Sequence, residues 1–455
     1  MKENEVCDKA GPIGETKRQS TGRVDMTALN RRQFVAAAAA GVALGGVSRA
    51  RAQTSTKFTI ISHRVHQQTL TEGPAGNLIK GWSDQNSATP DWVTLDLNAI
   101  HDRVFREAGL TSSEVGIDFV LNTRAVPEIM DLFESLEPYL AKAGIEDFDD
   151  LSPGMVKAFV AKGARHGVPF RHAVNALHYN DAYFKERGLD GPPKVVDDLL
   201  EYARKLSFTR ADGVKVYGWG FEADNYPNVV MLARAYDGDF ITDDYKCVAD
   251  GPGMIKALAL LKTMYAEGLI PKNITAMKQN DMITAMQTGQ IAMTYFPFGR
   301  TVIFNDPKSS KFPGAFKLAL PVVSKDMLAK GQLISTAEFW ATMIPKNSKS
   351  KELAWSLIRE ISAKENTVKA AINGNGPVRA SAYSDARLIE KVPYAALEAQ
   401  ALRAARVPMP AFNKSAEAKD IFVEEMQAAM LGLQPPEVSA KNMTKRIQPL
   451  LPRAS

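Results

Sequence analysis

The chain has 455 residues, more than one hydrophobic core usually organises, so we expect two or three lobes. Hydrophobic residues make up 45% and charged residues 24%, an ordinary globular composition that excludes wholesale disorder. The net charge is +5, but the first 52 residues hold nine basic and five acidic side chains, so the remainder is nearly neutral and a nucleic-acid partner is disfavoured. The only cysteines, Cys7 and Cys247, exclude a disulfide framework and cysteine-ligated metal sites.

Residues 1–52 have the organisation of an export signal. Arg31 and Arg32 precede an uncharged run over residues 34–47 that is rich in alanine and glycine, and Ala-Arg-Ala at 50–52 has the small-residue pattern of a cleavage site. These features predict a secretory signal, and the arginine pair resembles the twin-arginine type. The apolar run is too short to cross a bilayer. We therefore expect a soluble, periplasmic product.

Strands and helices alternate along the first part of the mature chain. Residues 57–61, 91–95 and 117–121 predict three strands, each followed by a helix, with Asp96 as the cap of the second helix. The helical positions expected to face inward are Leu78, Ile79, Trp82, Leu97, Ile100, Val104, Phe105, Ala108, Val126, Ile129, Met130 and Phe133. This alternation implies βαβ units and a mainly parallel sheet.

The second part of the chain repeats this pattern. Asn180 is expected to cap a short helix, and Gly268 to end a helix that starts near Pro252. The other elements expected here are a helix over residues 195–206, a helix that ends at Gly289, and strands over residues 214–218 and 291–295. No low-complexity linker separates the two parts, which two α/β lobes connected by more than one crossing would explain.

Sequence motifs of the common enzyme classes are absent. The chain has no G-x-G-x-x-G after a strand, no P-loop, no H-E-x-x-H and no G-x-S-x-G. His63 and His66 have a spacing that suits a metal site with a distant third ligand. Polar residues at a strand end that face a cleft are the simpler interpretation. An exported metal-dependent enzyme that uses this histidine pair is the alternative function; otherwise no cofactor, metal or catalytic residue is expected.

Several sequence blocks resemble a known family. The blocks are Val-Pro-Phe-Arg-His at 168–172, Leu-His-Tyr-Asn at 177–180, Pro-Pro-Lys-Val-Val-Asp-Asp-Leu at 192–199, Met-Gln-Thr-Gly-Gln-Ile-Ala-Met-Thr at 286–294, Ile-Pro-Lys-Asn-Ser at 344–348 and Asn-Gly-Pro-Val-Arg at 375–379. In this order they resemble extracellular solute-binding protein family 1, the carbohydrate-binding subunits of ABC importers of the maltose and glycerol-phosphate type. The block at 192–199 lacks the tryptophan usual in that family.

The resemblance implies an α/β, two-lobe periplasmic-binding-protein fold (type II-like) with a central ligand cleft and hinge crossings. The first lobe would comprise residues 53–171 and 321–375, and the second residues 172–320 and 376–455 with the C-terminal helices. The expected partners are a small-molecule solute, in particular a carbohydrate, and an ABC permease of the inner membrane, with the protein itself a monomer. Such a protein closes on its solute only if the solute contacts both lobes.

The candidate solute-binding residues follow from the resemblance and from the rule that ligands bind beyond the carboxyl ends of strands. They are His63, Arg64, His66, Asn122, Arg124, Arg171, His172, Asp224, Asn225, Tyr226, Phe296, Phe298, Arg300, Glu338, Trp340, Asn375 and Arg379. Aromatic rings would stack on the solute, and polar groups would bind its hydroxyls. Converging arginines suit an acidic or phosphorylated sugar. Glu338 and Asp224 could instead neutralise them for a neutral sugar, and a polyamine, a metal complex or a glycerol phosphodiester is the non-sugar alternative.

Overall fold

The computed structural model describes residues 56–222 and 224–452, and the expected export signal lies outside them. The strands are β1 (Thr56–Ser62), β2 (Ala88–Thr94), β3 (Val115–Leu121), β4 (Val160–Ala161), β5 (Ala164–Arg165), β6 (Gly167–Asn180), β7 (Phe208–Thr209), β8 (Lys215–Trp219), β9 (Ile291–Pro297), β10 (Phe316–Ala319), β11 (Ser335–Met343) and β12 (Ala405–Arg406).

The helices cover the remainder of the two described ranges, apart from loops and short 3-10 turns. They are α1 (Arg64–Thr71), α2 (Lys80–Asn86), α3 (Leu97–Ala108), α4 (Pro127–Met130), α5 (Glu137–Lys142), α6 (Pro153–Lys157), α7 (Asp181–Glu186), α8 (Leu199–Lys205), α9 (Tyr226–Ala235), α10 (Pro252–Ala266), α11 (Gln279–Gln287), α12 (Arg300–Phe304), α13 (Lys325–Ala329), α14 (Lys351–Ser362), α15 (Lys364–Ile372), α16 (Ala386–Lys391), α17 (Ala395–Ala404), α18 (Ser415–Met430) and α19 (Pro436–Ile447). Within these ranges we find no helix with both the length and the apolar character that a membrane span requires.

A ten-stranded mixed sheet forms the framework. Its order is β2-β1-β3-β11-β6-β9-β8-β7, with β10 pairing to β6 and β12 to β11. β1 is parallel to β2 and β3, but β11 is antiparallel to both β3 and β6, and β6 is antiparallel to β9. The expectation of a mainly parallel sheet is therefore wrong, because β6 leads out of the β1–β3 region and β11 returns beside it, so the two strands must run in opposite directions.

The two largest hydrophobic cores of the described residues lie at the two ends of this sheet. The first contains buried residues of β1, β3 and α14, and the second contains those of β8, β9, α9, α10 and α18. We call these parts of the structure the first and second lobes. The 14-residue β6 contributes Val168 and Phe170 to the first core and Leu177 to the second, so a single strand belongs to both lobes. The lobes are thus joined by continuous hydrogen-bonded strands rather than by a flexible linker.

Several predicted elements and caps are confirmed. β1, β3 and β9 cover the predicted runs. The Asn180 side chain accepts a hydrogen bond from the Ala182 N–H at 3.1 Å and so caps α7. Gly268 follows α10 with a φ of 71°, the left-handed conformation that glycine adopts at a helix end without steric cost.

The outer surface of α3 departs from the prediction. Ile100 and Val104 are buried as expected, but Phe105 is 54% exposed. A helix turns about 100° per residue, so the position after Val104 points away from the face that packs on the sheet. Asp96 stands at the predicted cap position but makes no capping hydrogen bond with its side chain.

Asp118, in the middle of β3, is a buried acid. Its side chain is almost fully enclosed, and its Oδ1 atom has no hydrogen-bond partner. Burial, reinforced by Glu107 and opposed by Arg103, raises the pKa of Asp118 to about 8. The unfolded chain releases this proton near pH 4, about four pH units lower. The contribution of the protonated Asp118 carboxyl to the free energy of unfolding is therefore fully present below pH 4 and is lost as the pH rises towards 8.

The Asp118→Asn variant is expected to remove this pH dependence. Between pH 5 and pH 8 the variant should gain about 2 to 4 kcal/mol in free energy of unfolding relative to the wild type, since the asparagine has no proton to lose. Urea unfolding at several pH values measures this difference, with the exposed Asp190→Asn as the matched control. If the difference in free energy of unfolding between Asp118→Asn and the wild type stays constant from pH 5 to pH 8, the raised pKa of Asp118 is contradicted.

Candidate functional site

β6 and β11 carry polar and aromatic side chains where the two lobes meet. Trp340 of β11 lies directly opposite Arg171 of β6, so their side chains share one face of the sheet. Glu338 lies on the same face, two residues before Trp340. We call the region around these residues the cleft, which comprises His63, His66, Arg124, Arg171, Glu222, Tyr226, Arg300, Glu338, Trp340 and Glu398.

His63 lies on the first-lobe side of the cleft, and His66 is fully buried beside it. His63 precedes α1, and its Nδ1 accepts a hydrogen bond from the Val65 N–H at 3.3 Å, which leaves the proton of the neutral ring on Nε2. His66 stacks on Phe119 with ring centroids 4.4 Å apart and meets Trp340 edge-on at 4.9 Å. Burial and the nearby arginines lower the pKa of His63 to about 3 and that of His66 well below its ordinary value. Both rings are therefore neutral at physiological pH.

Arg171 and Arg300 approach the cleft from different parts of the fold. Arg171 belongs to β6, and Arg300 begins α12 on the second lobe, directly after the loop that follows β9. Both are buried, with 5% and 7% of their surface exposed. Burial, with the positive charge of Arg300 adding to it, lowers the pKa of Arg171 to about 9. Two like charges thus lie close together in a largely enclosed site.

A second group of charges occupies the side of the cleft near α9. Burial raises the pKa of Glu338 to about 7, with Glu222 adding to this effect and Arg124 opposing it. Burial also raises the pKa of Glu222 to about 7. Glu338 adds to the raised pKa of Tyr226 and Arg124 opposes it, which places these groups near one another. A group of the first lobe (Arg124), a group of β11 (Glu338) and a group of the second lobe (Tyr226) therefore lie near one another here. The same three parts of the fold also meet around Arg171.

Glu398 of α17 lies behind Arg171. Burial raises its pKa to about 8, and Arg171 opposes this rise. Tyr383, whose hydroxyl lies 2.8 Å from the Nε2 atom of His172, has its pKa raised by burial and by Glu398. His172 is therefore held from behind by a buried polar network rather than exposed to the cleft.

Several buried polar atoms of the cleft lack a hydrogen-bond partner. They are both ring nitrogens of His66, Nε of Arg171, Nε of Arg300 and the hydroxyl of Tyr226; Oδ1 of Asn375, in the adjoining loop, is another. Buried polar groups are normally satisfied, and an unsatisfied one costs about 1 to 3 kcal/mol. Such atoms come from both lobes and from the strand between them, an arrangement suited to a polar ligand held between the lobes.

The lobes touch directly beside Arg300. Gly299, from the second lobe, lies against Gly374, which follows α15 on the first-lobe side, and a Cβ atom at Gly299 would lie 2.4 Å from the Gly374 carbonyl oxygen. The φ of Gly299 is −60°, so its own backbone would accept an alanine. Only the neighbouring main chain requires glycine at this position.

Several of the candidate solute-binding residues are wrong, because their side chains stabilise the fold and do not face the cleft. Arg379 is 1% exposed, and its guanidinium donates to the carbonyl oxygens of Ser362, Asp147 and Glu146 at 2.6–3.1 Å and pairs with Asp150. All of its polar capacity is used inside the first lobe.

Two amides and a histidine are likewise committed to the protein. Asn122 Oδ1 accepts the Phe339 N–H at 2.9 Å and so ties β3 to β11. Asn375 Nδ2 donates to the Phe170 carbonyl oxygen at 2.9 Å, which leaves only its Oδ1 free. His172 accepts the Val174 N–H through Nδ1, in addition to its contact with Tyr383.

The aromatic and loop candidates of the second lobe also lie away from the centre of the cleft. Phe296 and Phe298 are fully buried, the first against Phe304 and the second beside Tyr394. Asp224 is exposed and Asn225 caps α9, while Arg64 is exposed on α1. These side chains were expected at the solute because they follow strands, but strand alternation and capping direct them elsewhere.

Sequence reasoning missed Glu222 and Glu398. Glu222 follows β8 only two positions before Asp224, so the strand-end rule applied to the full loop would have found it. Glu398 lies on α17, and no local sequence signal distinguishes it from an exposed helical glutamate. Its burial depends on packing between segments distant in sequence.

Of the surface cavities in the described part of the chain, two lie outside the cleft and carry charged or polar groups. One, of about 420 Å³, is lined by Arg234, Asp239 and Arg406, whose charged groups pair with one another at 2.9–3.0 Å. The other, of about 570 Å³, lies beside Tyr245 and Gln448 near the C-terminal end of the described chain. The first offers no unpaired arginine comparable with those of the cleft.

The histidine pair does not have the surroundings of a metal centre. No group of three or more His, Cys, Asp or Glu side chains within 56–222 and 224–452 could hold a metal ion. Instead, the charges that act on both His63 and His66 are those of Arg171 and Arg300. These positive charges repel a cation, so the cleft suits an uncharged or anionic ligand better.

Comparison with known proteins places the fold and the family. The fold matches that of maltose-bound MalE3 of T. maritima, a two-lobe periplasmic-binding-protein fold, with a TM-score of 0.74 at 20% identity over 87% of this chain and 100% of that one. The sequence model of the bacterial extracellular solute-binding proteins matches residues 120–368, more than half of the chain, and the chain therefore belongs to this family. The members of this family are described as solute-binding proteins.

Two curated relatives agree with this assignment. A protein of Brucella abortus (strain 2308) that is named as a binding protein is 26% identical over 298 residues, which cover 64% of this chain and 69% of that one. A "probable ABC transporter-binding protein" of Deinococcus radiodurans is 21% identical over 300 residues, which cover 64% and 68%. The protein is thus similar to solute receptors of ABC transporters.

Proposed function

We propose that this protein is the exported, monomeric receptor of an ABC importer and that it binds a sugar or sugar-like solute in the cleft. After export through its twin-arginine signal, it would close on the solute and present it to a permease in the inner membrane. The similarity to a maltose-bound protein supports a polyhydroxylated solute. No bond of the solute needs to break in this cycle.

The observation that carries the proposal is the set of unsatisfied polar atoms beside the aromatic ring of Trp340. The Tyr226 hydroxyl and the Arg171 and Arg300 Nε atoms provide hydrogen-bonding groups, and Trp340 provides a flat ring. A sugar presents hydroxyls at its edge and C–H groups on its faces, so it satisfies both kinds of surface. Because these groups come from both lobes, a bound sugar would stabilise the closed arrangement.

A ligand panel tests the proposal. The mature protein should show a raised melting temperature with at least one compound among monosaccharides, oligosaccharides, polyols, sugar acids and sugar phosphates, because a ligand that binds only the folded state stabilises it. Polyamines and glycerol phosphodiesters complete the panel as non-sugar solutes. Binding of a polyamine alone, or no response to any sugar-like compound, would contradict the proposal.

The Tyr226→Phe variant locates the binding site. Loss of its unpaired hydroxyl should weaken binding of the solute about two- to thirteenfold, the effect of one hydrogen bond of about 0.5 to 1.5 kcal/mol. Tyr265→Phe is the matched control, since its hydroxyl donates to the Lys272 carbonyl oxygen on the surface of the second lobe. Equal affinities of the two variants, measured by titration calorimetry, would place the solute elsewhere.

A further inference from the structure

The buried arginines of the cleft differ from the buried arginines elsewhere in the described structure, because their guanidinium groups have fewer partners. Arg234 is 4% exposed and pairs with Asp239 at 2.9 Å, and Arg379 is 1% exposed and fully hydrogen-bonded. In contrast, the guanidinium of Arg171 makes no hydrogen bond or ion pair with any residue that the structure describes, and its Nε is enclosed. Buried charges without partners are strongly disfavoured, so this guanidinium calls for a partner from outside the chain.

Arg300 is nearly as poorly satisfied. Its Nη2 donates to the Gln279 Oε1 atom at 3.1 Å, while its Nε has no partner. In the part of the chain that the structure describes, no carboxylate lies within ion-pair distance of it. The charge of Glu222 opposes the lowering of the Arg300 pKa by burial.

The acids near these arginines do not supply a full counter-charge. Glu398 faces Arg171 and Glu222 faces Arg300, and burial raises their pKa values to about 8 and about 7. Both are therefore largely or partly protonated at neutral pH. The other titratable groups around the pair are His63, His66, His172, His178 and Tyr394, and burial keeps each of them uncharged. Among the described residues, neither Arg171 nor Arg300 has a carboxylate within ion-pair distance.

A bound anion matches this arrangement. Guanidinium groups bind carboxylate and phosphate through paired N–H groups, and such charge-assisted bonds are the strongest available to an arginine. Arg171 belongs to the strand shared by the lobes, and Arg300 belongs to the second lobe. One anionic group that binds both would hold the second lobe against the shared strand, so a charged ligand would favour closure of the lobes. Trp340, directly opposite Arg171, would then lie beside the remainder of the ligand.

We infer that the solute carries one anionic group, a carboxylate or a phosphate, which binds between Arg171 and Arg300. This inference rests on the proposed function and narrows its substrate class to acidic sugars or polyols. The carboxylate forms are uronates and aldonates, and the phosphate forms are sugar phosphates.

Matched ligand pairs test the inference by titration calorimetry. The pairs are glucuronate with glucose, gluconate with glucitol, galacturonate with galactose, and glucose 6-phosphate with glucose. The acid should bind at least tenfold more tightly than its neutral counterpart in one or more pairs, and the responding pair distinguishes carboxylate from phosphate. Tight binding of neutral sugars alone would overturn the inference but leave the proposed function intact. No binding of any sugar, acidic or neutral, in this set or the wider panel would overturn the proposed function itself.

Charge-removing variants add a second readout. Arg171→Gln and Arg300→Gln should weaken binding of the acid at least thirtyfold and should reduce the difference in affinity between the acid and its neutral counterpart to less than threefold. Arg64→Gln, at an exposed arginine adjacent to His63, is the matched control and should leave both affinities unchanged.

The same variants give a result that needs no ligand. Without solute, Arg171→Gln and Arg300→Gln should melt at the same temperature as the wild type or higher, because each removes a buried charge that lacks a partner. A lower melting temperature or failure to fold for both variants would show that the protein itself satisfies these guanidiniums, which would overturn the inference.

Discussion

Replacing Gly299 by alanine is expected to weaken solute binding at least tenfold while the melting temperature of the free protein stays unchanged. The added methyl group would lie 2.4 Å from the Gly374 carbonyl oxygen, well inside contact distance, and this oxygen belongs to the main chain of the opposite lobe. The lobes must then remain further apart, and a closure penalty of about 1.4 kcal/mol corresponds to each tenfold loss of affinity. Each lobe alone is unaffected, because the backbone of Gly299 already has an ordinary helical φ.

Gly191→Ala is the matched control for this prediction. No atom lies within 4 Å of a Cβ at Gly191, so the same change should leave the affinity unaltered. Titration with the solute identified by the ligand panel gives the affinities, and small-angle scattering of the loaded protein should show a larger radius for Gly299→Ala than for the control. Affinities that agree within twofold would mean that closure does not require this contact.

The Arg379→Ala variant is expected to lose about 3 to 5 kcal/mol in free energy of unfolding, the usual cost of removing one partner from a buried charged network. The substitution leaves the carbonyl oxygens of Ser362, Asp147 and Glu146 without their donor and removes the cation beside Asp150. Solute affinity, measured at low temperature on the folded fraction, should stay within twofold of the wild type.

Arg359→Ala controls for the loss of an arginine side chain. Arg359 is exposed and makes one hydrogen bond, from Nε to the Gly144 carbonyl oxygen at 3.0 Å, so its removal should change the stability by about 0.5 kcal/mol or less. Urea unfolding compares the two variants. Unchanged stability together with lost affinity in Arg379→Ala would restore the solute contact that the sequence predicts for this residue.

The local elements could be predicted from sequence because their signals are local. The apolar run of β1, the Asn180 cap and the left-handed Gly268 each follow from residues within one turn or strand. The direction of β11 could not be predicted, since it depends on a returning strand that inserts between β3 and β6. The exposure of Phe105 depends on which part of α3 touches the sheet, and periodicity marks that face only to within one residue.

The candidate site was predictable in part, from strand ends and from the family resemblance. These two criteria together selected His63, Arg171, Arg300 and Trp340, which lie near one another in the structure. Phe298 was placed at the solute by the same reasoning, but its ring is buried beside Tyr394. Strand-end position alone does not distinguish a side chain that faces the cleft from one that faces the core.

The place of β11 in the sheet has a consequence for biosynthesis. Leu121 of β3 pairs with Trp340, so the first lobe cannot complete its sheet until a strand encoded more than two hundred codons later has left the ribosome. Until then the nascent chain presents an open edge of β3, the kind of edge that associates with other chains. The N-terminal part of the molecule is thus synthesised first but stays incomplete until most of the chain has emerged, and during that interval its open edge needs protection by a chaperone.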